Sequence, residues 1–106
     1  MQRIGFMIKV RQDRLEEYKE SHKHVWPEML QALSEAGWTN YTLFAKEDGT
    51  LFGYVECEDF QRSLDEMATK DVNARWQAEM VPYFEGIGDK RPDESFLVLE
   101  PVFHLD

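Results

Sequence analysis

The sequence predicts one α+β domain whose elements run in the order βαββαβ. Alternating apolar residues indicate the strands, apolar residues spaced three to four apart indicate the helices, and Gly, Pro and Asp residues stand at the boundaries. The chain has 106 residues, of which 42% are hydrophobic. This is enough for one core but leaves no room for a second. We therefore expect a single domain spanning residues 1–106.

The first strand and the helical segment after it have clear boundary residues. Apolar residues alternate with other types in the first ten positions: Ile4, Phe6, Ile8 and Val10. Asp13 is predicted to cap the helix that follows. Pro27 removes a helical N–H, so we expect a break near Trp26 with Pro27 opening a second piece. Gly37 is expected to end that piece.

The middle of the chain predicts a hairpin followed by two helices. Residues 39–46 and 51–58 have strand character, and the loop between them contains Gly49. Asp59 is predicted to start one helix and Asp71 to cap another, which ends at two glycines, Gly86 and Gly88. The second crossover is therefore split into two helices.

The last strand is predicted from Phe96 to Phe103. Pro101 cannot donate to a strand ladder, so this strand is expected at an edge of the sheet. The complete order is that of the ferredoxin-like plan.

Apolar residues are expected on both faces of the sheet, although helices can cover only one. The residues that suggest this are Phe44, Phe52, Tyr54, Phe96 and Val98. An uncovered apolar face is usually an interface or a pocket. We therefore predict a homodimer that packs sheet to sheet.

The charge balance and the cysteine count restrict the partners and the compartment. Twelve Lys and Arg residues against 21 Asp and Glu residues give a net charge of −9. Nucleic acid and anionic membranes are therefore poor partners, whereas a neutral monosaccharide meets no electrostatic penalty. No segment has the length and apolarity of a signal peptide or a membrane span. A single cysteine, Cys57, fits a reducing cytoplasm.

A phenol, an imidazole and an indole follow one another at helical spacing. Tyr18, His22 and Trp26 stand at i, i+4 and i+8, which on a continuous helix places them on one face. The imidazole can give or take a proton near neutral pH, and the aromatic rings can stack on a sugar. The proline break places His22 near a helix end, where the macrodipole favours the protonated ring and hence a general acid. In the alternative interpretation, Tyr18 and Trp26 are core residues and His22 is a buried, hydrogen-bonded histidine.

Metal and nucleotide sites are not predicted. His22 and His24 are two residues apart, so on a helix they point in divergent directions, and His104 is remote in sequence. P-loop, Rossmann and His-Glu-x-x-His patterns are absent. We therefore expect neither a metal nor a cofactor.

Five stretches of the chain resemble one known family over nearly its whole length. The run Glu17-Tyr18-x-x-x-His22-x-x-x-Trp26-Pro27-Glu28 resembles the start of the L-rhamnose mutarotase family. Four later stretches agree with it in order: Asn40-Tyr41, Asp71-Val72-x-x-Arg75-Trp76, Pro92-Asp93-x-Ser95 and Val102-Phe103-His104-Leu105.

The resemblance implies a fold, an activity and a set of site residues. The family fold is a dimeric ferredoxin-like α/β barrel, and its activity is the interconversion of the α and β anomers of L-rhamnose. His22 would be the proton donor, and the residues that would contact the sugar are Tyr18, Tyr41 and Trp76. The family usually has a second tryptophan after Trp76, and this chain has Gln77. Gln77 is therefore expected either to enter the pocket and hydrogen-bond a hydroxyl, which would shift the preference among deoxyhexoses, or to point to solvent, with the pocket closed by another aromatic residue such as Tyr83 or Phe84.

The sequence thus predicts a mutarotase for L-rhamnose or a related 6-deoxyhexose. Its proton acceptor stays open between Tyr18, a carboxylate and a bound water. Two other classes of function are open at this point. One is a cofactor-independent monooxygenase or lactone isomerase on the same dimeric barrel, and the other is a non-catalytic sugar-binding module.

Overall fold

The computed structural model describes residues 1–106 and contains four strands and four α-helices. The strands are β1 (Gln2–Lys9), β2 (Thr39–Ala45), β3 (Thr50–Cys57) and β4 (Leu97–Leu99). The helices are α1 (Leu15–Ser21), α2 (Pro27–Glu35), α3 (Phe60–Ala68) and α4 (Asp71–Met80). Short 3-10 turns lie at Gln12–Arg14, Val81–Tyr83 and Pro92–Glu94. Both crossovers are split into two helices, and no helix is long and apolar enough to cross a membrane.

The four strands form one antiparallel sheet in the order β2-β3-β1-β4, which confirms the ferredoxin-like plan. β4 lies at an edge, as Pro101 predicted. The predicted length of β4 was wrong, because the strand ends at Leu99 and residues 100–106 are exposed without regular structure. The register sets Leu99 against Gly5, so a longer strand would set Pro101 against Arg3. Proline has no N–H to donate there.

One face of the sheet and the helices enclose the core. Alternate residues of β1 and β3 point into it, and the most deeply buried are Phe6, Val55 and Cys57. The Phe6 ring lies directly over Gly53, where a Cβ atom would be 2.2 Å from Phe6 Cζ. Glycine is therefore required at position 53, because any side chain would displace the ring. On its other side the Phe6 ring stacks on Phe96 at a centroid distance of 4.0 Å.

Several helix boundaries follow the sequence prediction. α1 ends at Ser21, and Pro27 is the first residue of α2 after an extended Trp26. Gly37 has a φ of +88° just beyond α2, a conformation that glycine adopts without a Cβ penalty. The Asp59 carboxylate caps α3 by accepting the Arg62 backbone N–H at 3.1 Å.

Three predicted boundaries were wrong. Asp13 caps nothing, because it lies inside the 3-10 turn that leads into α1. Asp71 is the first residue of α4, not its cap, and its carboxylate accepts from Arg75 Nε at 3.1 Å. α4 ends at Met80, well before Gly86 and Gly88, since Pro82 lacks the N–H that a further helical turn needs.

The second face of the sheet carries an apolar row across all four strands. The paired positions in this row are Phe44, Phe52, Met7 and Leu97, in the spatial order of the strands. Phe44 is 61% exposed and Leu97 is 62% exposed. No helix of the chain covers this row, so an apolar row on this face is open, as the sequence predicted.

Candidate active site

A cavity of about 450 Å³ opens between the helices and the covered face of the sheet. Its wall is mostly apolar and aromatic, and its polar members include Tyr18, His22, Tyr41, Asn73, Gln77 and Asp93. Small-molecule sites have volumes of roughly 300–1,000 Å³ with a few polar groups in an apolar wall. This cavity is therefore the candidate active site.

His22 follows the last residue of α1, where the chain leaves the helix. The backbone N–H of His22 donates to the Tyr18 carbonyl at 3.2 Å. Its ring atom Nδ1 lies 3.0 Å from the same carbonyl oxygen and 3.2 Å from Ser21 Oγ. Because a carbonyl oxygen only accepts, Nδ1 carries the hydrogen in this arrangement. The neutral ring then has its lone pair on Nε2.

Burial makes His22 easier to deprotonate. Desolvation lowers the pKa of His22 below its usual 6.5, and the bond to the Tyr18 carbonyl opposes this only in part. The expectation that the helix dipole would favour the protonated ring was therefore wrong. Desolvation is the largest influence on the pKa of the ring, so the net shift is toward the neutral form. At neutral pH the ring is neutral, and Nε2 is a proton acceptor.

Two phenols lie in the same cavity as His22. The Tyr18 ring is 4.1 Å from the His22 ring between centroids, and Tyr41 enters from β2. Desolvation raises the pKa of Tyr18 and of Tyr41, and the nearby Asp93 charge raises the pKa of Tyr41 further. Both phenols therefore remain protonated at neutral pH and act as hydrogen-bond donors. A raised pKa argues against Tyr18 as the proton acceptor.

Of the two indoles expected at the site, only Trp76 lines the cavity. Trp76 lines the cavity from α4, and its ring is edge-on to His22 at 5.6 Å. Trp26 does not line the cavity; it packs edge-on against Trp76 at 5.0 Å. The prediction that Trp26 shares one helical face with Tyr18 was wrong, because α1 ends at Ser21. Trp26 supports the cavity wall from behind.

Gln77 is buried in the cavity wall, so it does not point to solvent. Its Nε2 donates to Asn73 Oδ1 at 3.1 Å, and its Oε1 accepts the Asp93 backbone N–H at 3.1 Å. The side chain therefore ties α4 to the 3-10 turn at Pro92–Glu94. One N–H of the Gln77 amide is left for a further bond.

Sequence reasoning did not identify Asn73 and Asp93 as cavity residues. Asn73 is 1% exposed, and its Nδ2 donates to Asp93 Oδ2 at 2.9 Å and to the Met67 carbonyl at 3.1 Å. The signal for Asn73 was its spacing, since it precedes Trp76 by three residues and lies on the buried side of α4. The only signal for Asp93 was its place in the Pro92-Asp93-x-Ser95 stretch of the family resemblance, because it lies in a 3-10 turn far from the other cavity residues in sequence.

The arrangement suits a small polyhydroxylated molecule. It combines a neutral imidazole, two phenol donors and a carboxylate with an aromatic wall that can face the C–H side of a sugar. No group of three or more His, Cys, Asp or Glu side chains is arranged to hold a metal ion.

Comparison with known proteins assigns the chain to a family. The sequence model of the family described as L-rhamnose mutarotase matches residues 3–105. An L-rhamnose mutarotase of Bacillus subtilis is 38% identical over 107 residues, covering all of both chains. One of Oceanobacillus iheyensis is 36% identical over the same length and coverage.

A solved structure agrees with these sequence relatives. The crystal structure of an L-rhamnose mutarotase from Formosa agariphila has a TM-score of 0.81 against this chain. It is 27% identical in sequence, and the match covers all of both chains. The fold, the cavity and the relatives agree, and the chain belongs to the L-rhamnose mutarotase family.

Proposed function

We propose that this chain interconverts the α and β anomers of L-rhamnose, or of a closely related 6-deoxyhexose, in the cavity around His22. The observation that carries the proposal is the orientation of His22. Its Nδ1 is committed to the Tyr18 carbonyl, so Nε2 is free to exchange a proton with the sugar. Membership of the family supports the mutarotase reaction, and the two alternative classes of function are not favoured.

In the proposed reaction His22 moves a proton at the anomeric oxygen. Nε2 of the neutral ring accepts the proton of the anomeric hydroxyl while the bond between the anomeric carbon and the ring oxygen breaks. The ring oxygen takes up the proton of a phenol hydroxyl that bonds it, the carbonyl group rotates, and the ring closes on its other face while the ring oxygen returns that proton to the phenolate. The imidazolium returns its proton to the anomeric oxygen during closure. His22 is thus the acceptor in opening and the proton donor in closure.

The ring oxygen needs a second partner, and the two phenols supply the donors. Before the reaction Tyr18 and Tyr41 are both protonated, so their hydroxyl groups can hydrogen-bond the ring oxygen or a neighbouring hydroxyl of the sugar. Sugars change anomer slowly in water without help, so a positioned acid and base that accelerate the reaction roughly 10²- to 10⁴-fold are sufficient.

We also propose that the protein is a homodimer and acts in the cytoplasm. The open apolar row on the sheet supports the dimer. In a two-fold dimer the same row of a second copy would pack against it and remove both rows from water. The lone free cysteine, Cys57, supports a reducing compartment.

Anomer exchange measured by NMR tests the proposed function. We expect catalytic amounts of protein to accelerate exchange on L-rhamnose more than on other deoxyhexoses, compared with buffer and with heat-denatured protein. If the folded protein binds the sugar but does not accelerate exchange, it is a sugar-binding module and not a mutarotase. A protein that does neither would overturn the proposal.

A further inference from the structure

The polar end of the cavity is formed by the carboxylate of Asp93. The residue lies in the 3-10 turn at Pro92–Glu94, and 14% of its side chain is exposed. Asp93, Tyr41 and Trp76 line the same cavity. A carboxylate in this position meets a ligand inside the cavity rather than bulk solvent.

Three protein donors hold the carboxylate in place. Arg91 Nε donates to Asp93 Oδ1 at 3.1 Å, and the second guanidinium donor of Arg91 bonds Oδ2 at 2.8 Å. Asn73 Nδ2 donates to Oδ2 at 2.9 Å. Gln77 accepts the Asp93 backbone N–H, so the backbone is fixed as well. Side chain and backbone are thus both held before any ligand binds.

The count of acceptor sites leaves one open. A carboxylate has about four lone-pair sites, two on each oxygen. Oδ2 accepts two bonds and Oδ1 accepts one. The remaining acceptor site is on Oδ1, and Asp93 is part of the cavity wall. An unfilled acceptor beside a cavity matches a hydroxyl donor, whereas it repels an anion.

We infer that Asp93 is a substrate-binding residue whose Oδ1 accepts a hydroxyl of the sugar, and that Arg91, Asn73 and Gln77 are positioning residues for it. The inference rests on the proposed function, because the ligand is the sugar of that reaction. Hydrogen bonds to a charged acceptor discriminate strongly, since loss of the ligand hydroxyl leaves the charge unpaired. Asp93 therefore selects the sugar at a ring hydroxyl, whereas His22 acts at the anomeric centre.

A purely structural role for Asp93 makes a different prediction. In that case the bonds that Asp93 makes to Asn73 and Gln77 only fix the turn against α4, and the Arg91 pair only holds the turn itself. Its loss would then lower stability and would weaken the binding of all sugars alike. Analogues of L-rhamnose that lack one hydroxyl, at C2, C3 or C4, distinguish the two roles because they remove one hydrogen bond at a time.

The experiment measures the dissociation constants of L-rhamnose and these three deoxy analogues by calorimetry. We expect the wild type to bind one analogue roughly 10- to 100-fold more weakly than the others. Asp93→Asn is expected to lose a similar factor for L-rhamnose and to bind that analogue no more weakly than L-rhamnose. The control is Asp89→Asn, which removes an exposed carboxylate from the same loop outside the cavity.

A second variant covers the case in which Asp93→Asn does not fold. Asp93→Glu keeps the charge for Arg91 but moves the acceptor by one methylene, and it is expected to lose the same discrimination. The inference is overturned if the wild type binds the three analogues equally, or if either folded variant discriminates among them as the wild type does. Anomer exchange by the wild type is measured in the same samples. A wild type that neither binds nor exchanges L-rhamnose overturns the proposed function itself.

Discussion

The Nδ1 atom of His22 lies 3.0 Å from the carbonyl oxygen of Tyr18, one helical turn earlier in the chain. The helix ends at this point, so the Tyr18 carbonyl, which also accepts the His22 backbone N–H, orients the ring. The same bond fixes the neutral tautomer with its lone pair on Nε2. The local backbone therefore determines which nitrogen faces the reaction.

Replacement of His22 is expected to abolish most of the catalysis without unfolding the protein. His22→Asn keeps a polar side chain that can still bond the Tyr18 carbonyl, but it has no group that exchanges a proton near neutral pH. We expect anomer exchange, measured by NMR, to fall by roughly 10²-fold or more. The control is His24→Asn, because the His24 side chain is 76% exposed. Near-full exchange in His22→Asn across pH 6–8 would contradict the assignment.

The pH dependence of exchange should follow the lowered pKa of His22. Exchange needs the neutral ring, so it is expected to stay high at neutral pH and to fall only as the pH drops below 6.5, the usual value for histidine. A fall that begins above this value would mean that burial does not depress the pKa. A pH-rate profile for the catalysed reaction, corrected for exchange in buffer, measures this.

The lowered pKa of His22 should also make the free energy of unfolding depend on pH. The unfolded chain binds this proton more readily than the folded chain, so the His22 contribution to the free energy of unfolding is present above pH 6.5 and is lost as the pH falls through the folded pKa. Denaturant titrations of wild type and His22→Asn at several pH values isolate it. Equal pH slopes for the two proteins would contradict this prediction.

Gln77→Trp is expected to change the preference among sugars. The substitution removes both bonds of the Gln77 amide, so Asn73 and the turn at Asp93 lose a fixed partner inside the wall. Exchange rates on L-rhamnose and on its stereoisomer L-fucose measure the effect, and we expect their ratio to change. The control is Ala78→Trp, which adds an indole at an exposed position of α4. An unchanged ratio in a folded, dimeric Gln77→Trp would refute a role in specificity.

Exchange is expected to need no added ion. The proposed reaction uses only His22, the two phenols and the sugar, so a chelator has no ligand set to disrupt. The measurement is anomer exchange before and after exhaustive EDTA treatment and dialysis. A loss of activity that a divalent ion restores would require a different mechanism.

The proposed homodimer should depend on the open row of the sheet. Phe52→Asp places a charge in the middle of that row, next to Phe44 and Met7, and is expected to shift the protein to a monomer at micromolar concentration. Light scattering measures the mass, and Gln61→Asp on the exposed surface of α3 is the control. A stable dimer should bury more than about 1,000 Å². A wild type that is already monomeric would contradict the dimer, and a dimeric Phe52→Asp would contradict its placement on this face.

The sequence determined the elements and their order, because their signals are local. Apolar alternation marked β1 and β3, Pro27 marked the start of α2, and Gly37 marked its end. These features depend on the dihedral preference of glycine and on the missing N–H of proline. Both are properties of the residue itself and do not depend on its surroundings. Pro101 likewise predicted the edge position of β4, although the same missing N–H made the strand shorter than expected.

Only the tertiary structure decided which residues share the cavity and how they are charged. Beyond the residues that the family resemblance named, Asn73 and Asp93 come from α4 and the 3-10 turn at Pro92–Glu94, and packing brings them together with His22. Burial lowers the pKa of His22, which is opposite to the predicted bias toward the protonated ring, because desolvation depends on the whole surroundings of the ring. Packing also decided the position of Trp26, which lies behind Trp76. The helix breaks before Trp26, so helical spacing does not determine where its side chain lies.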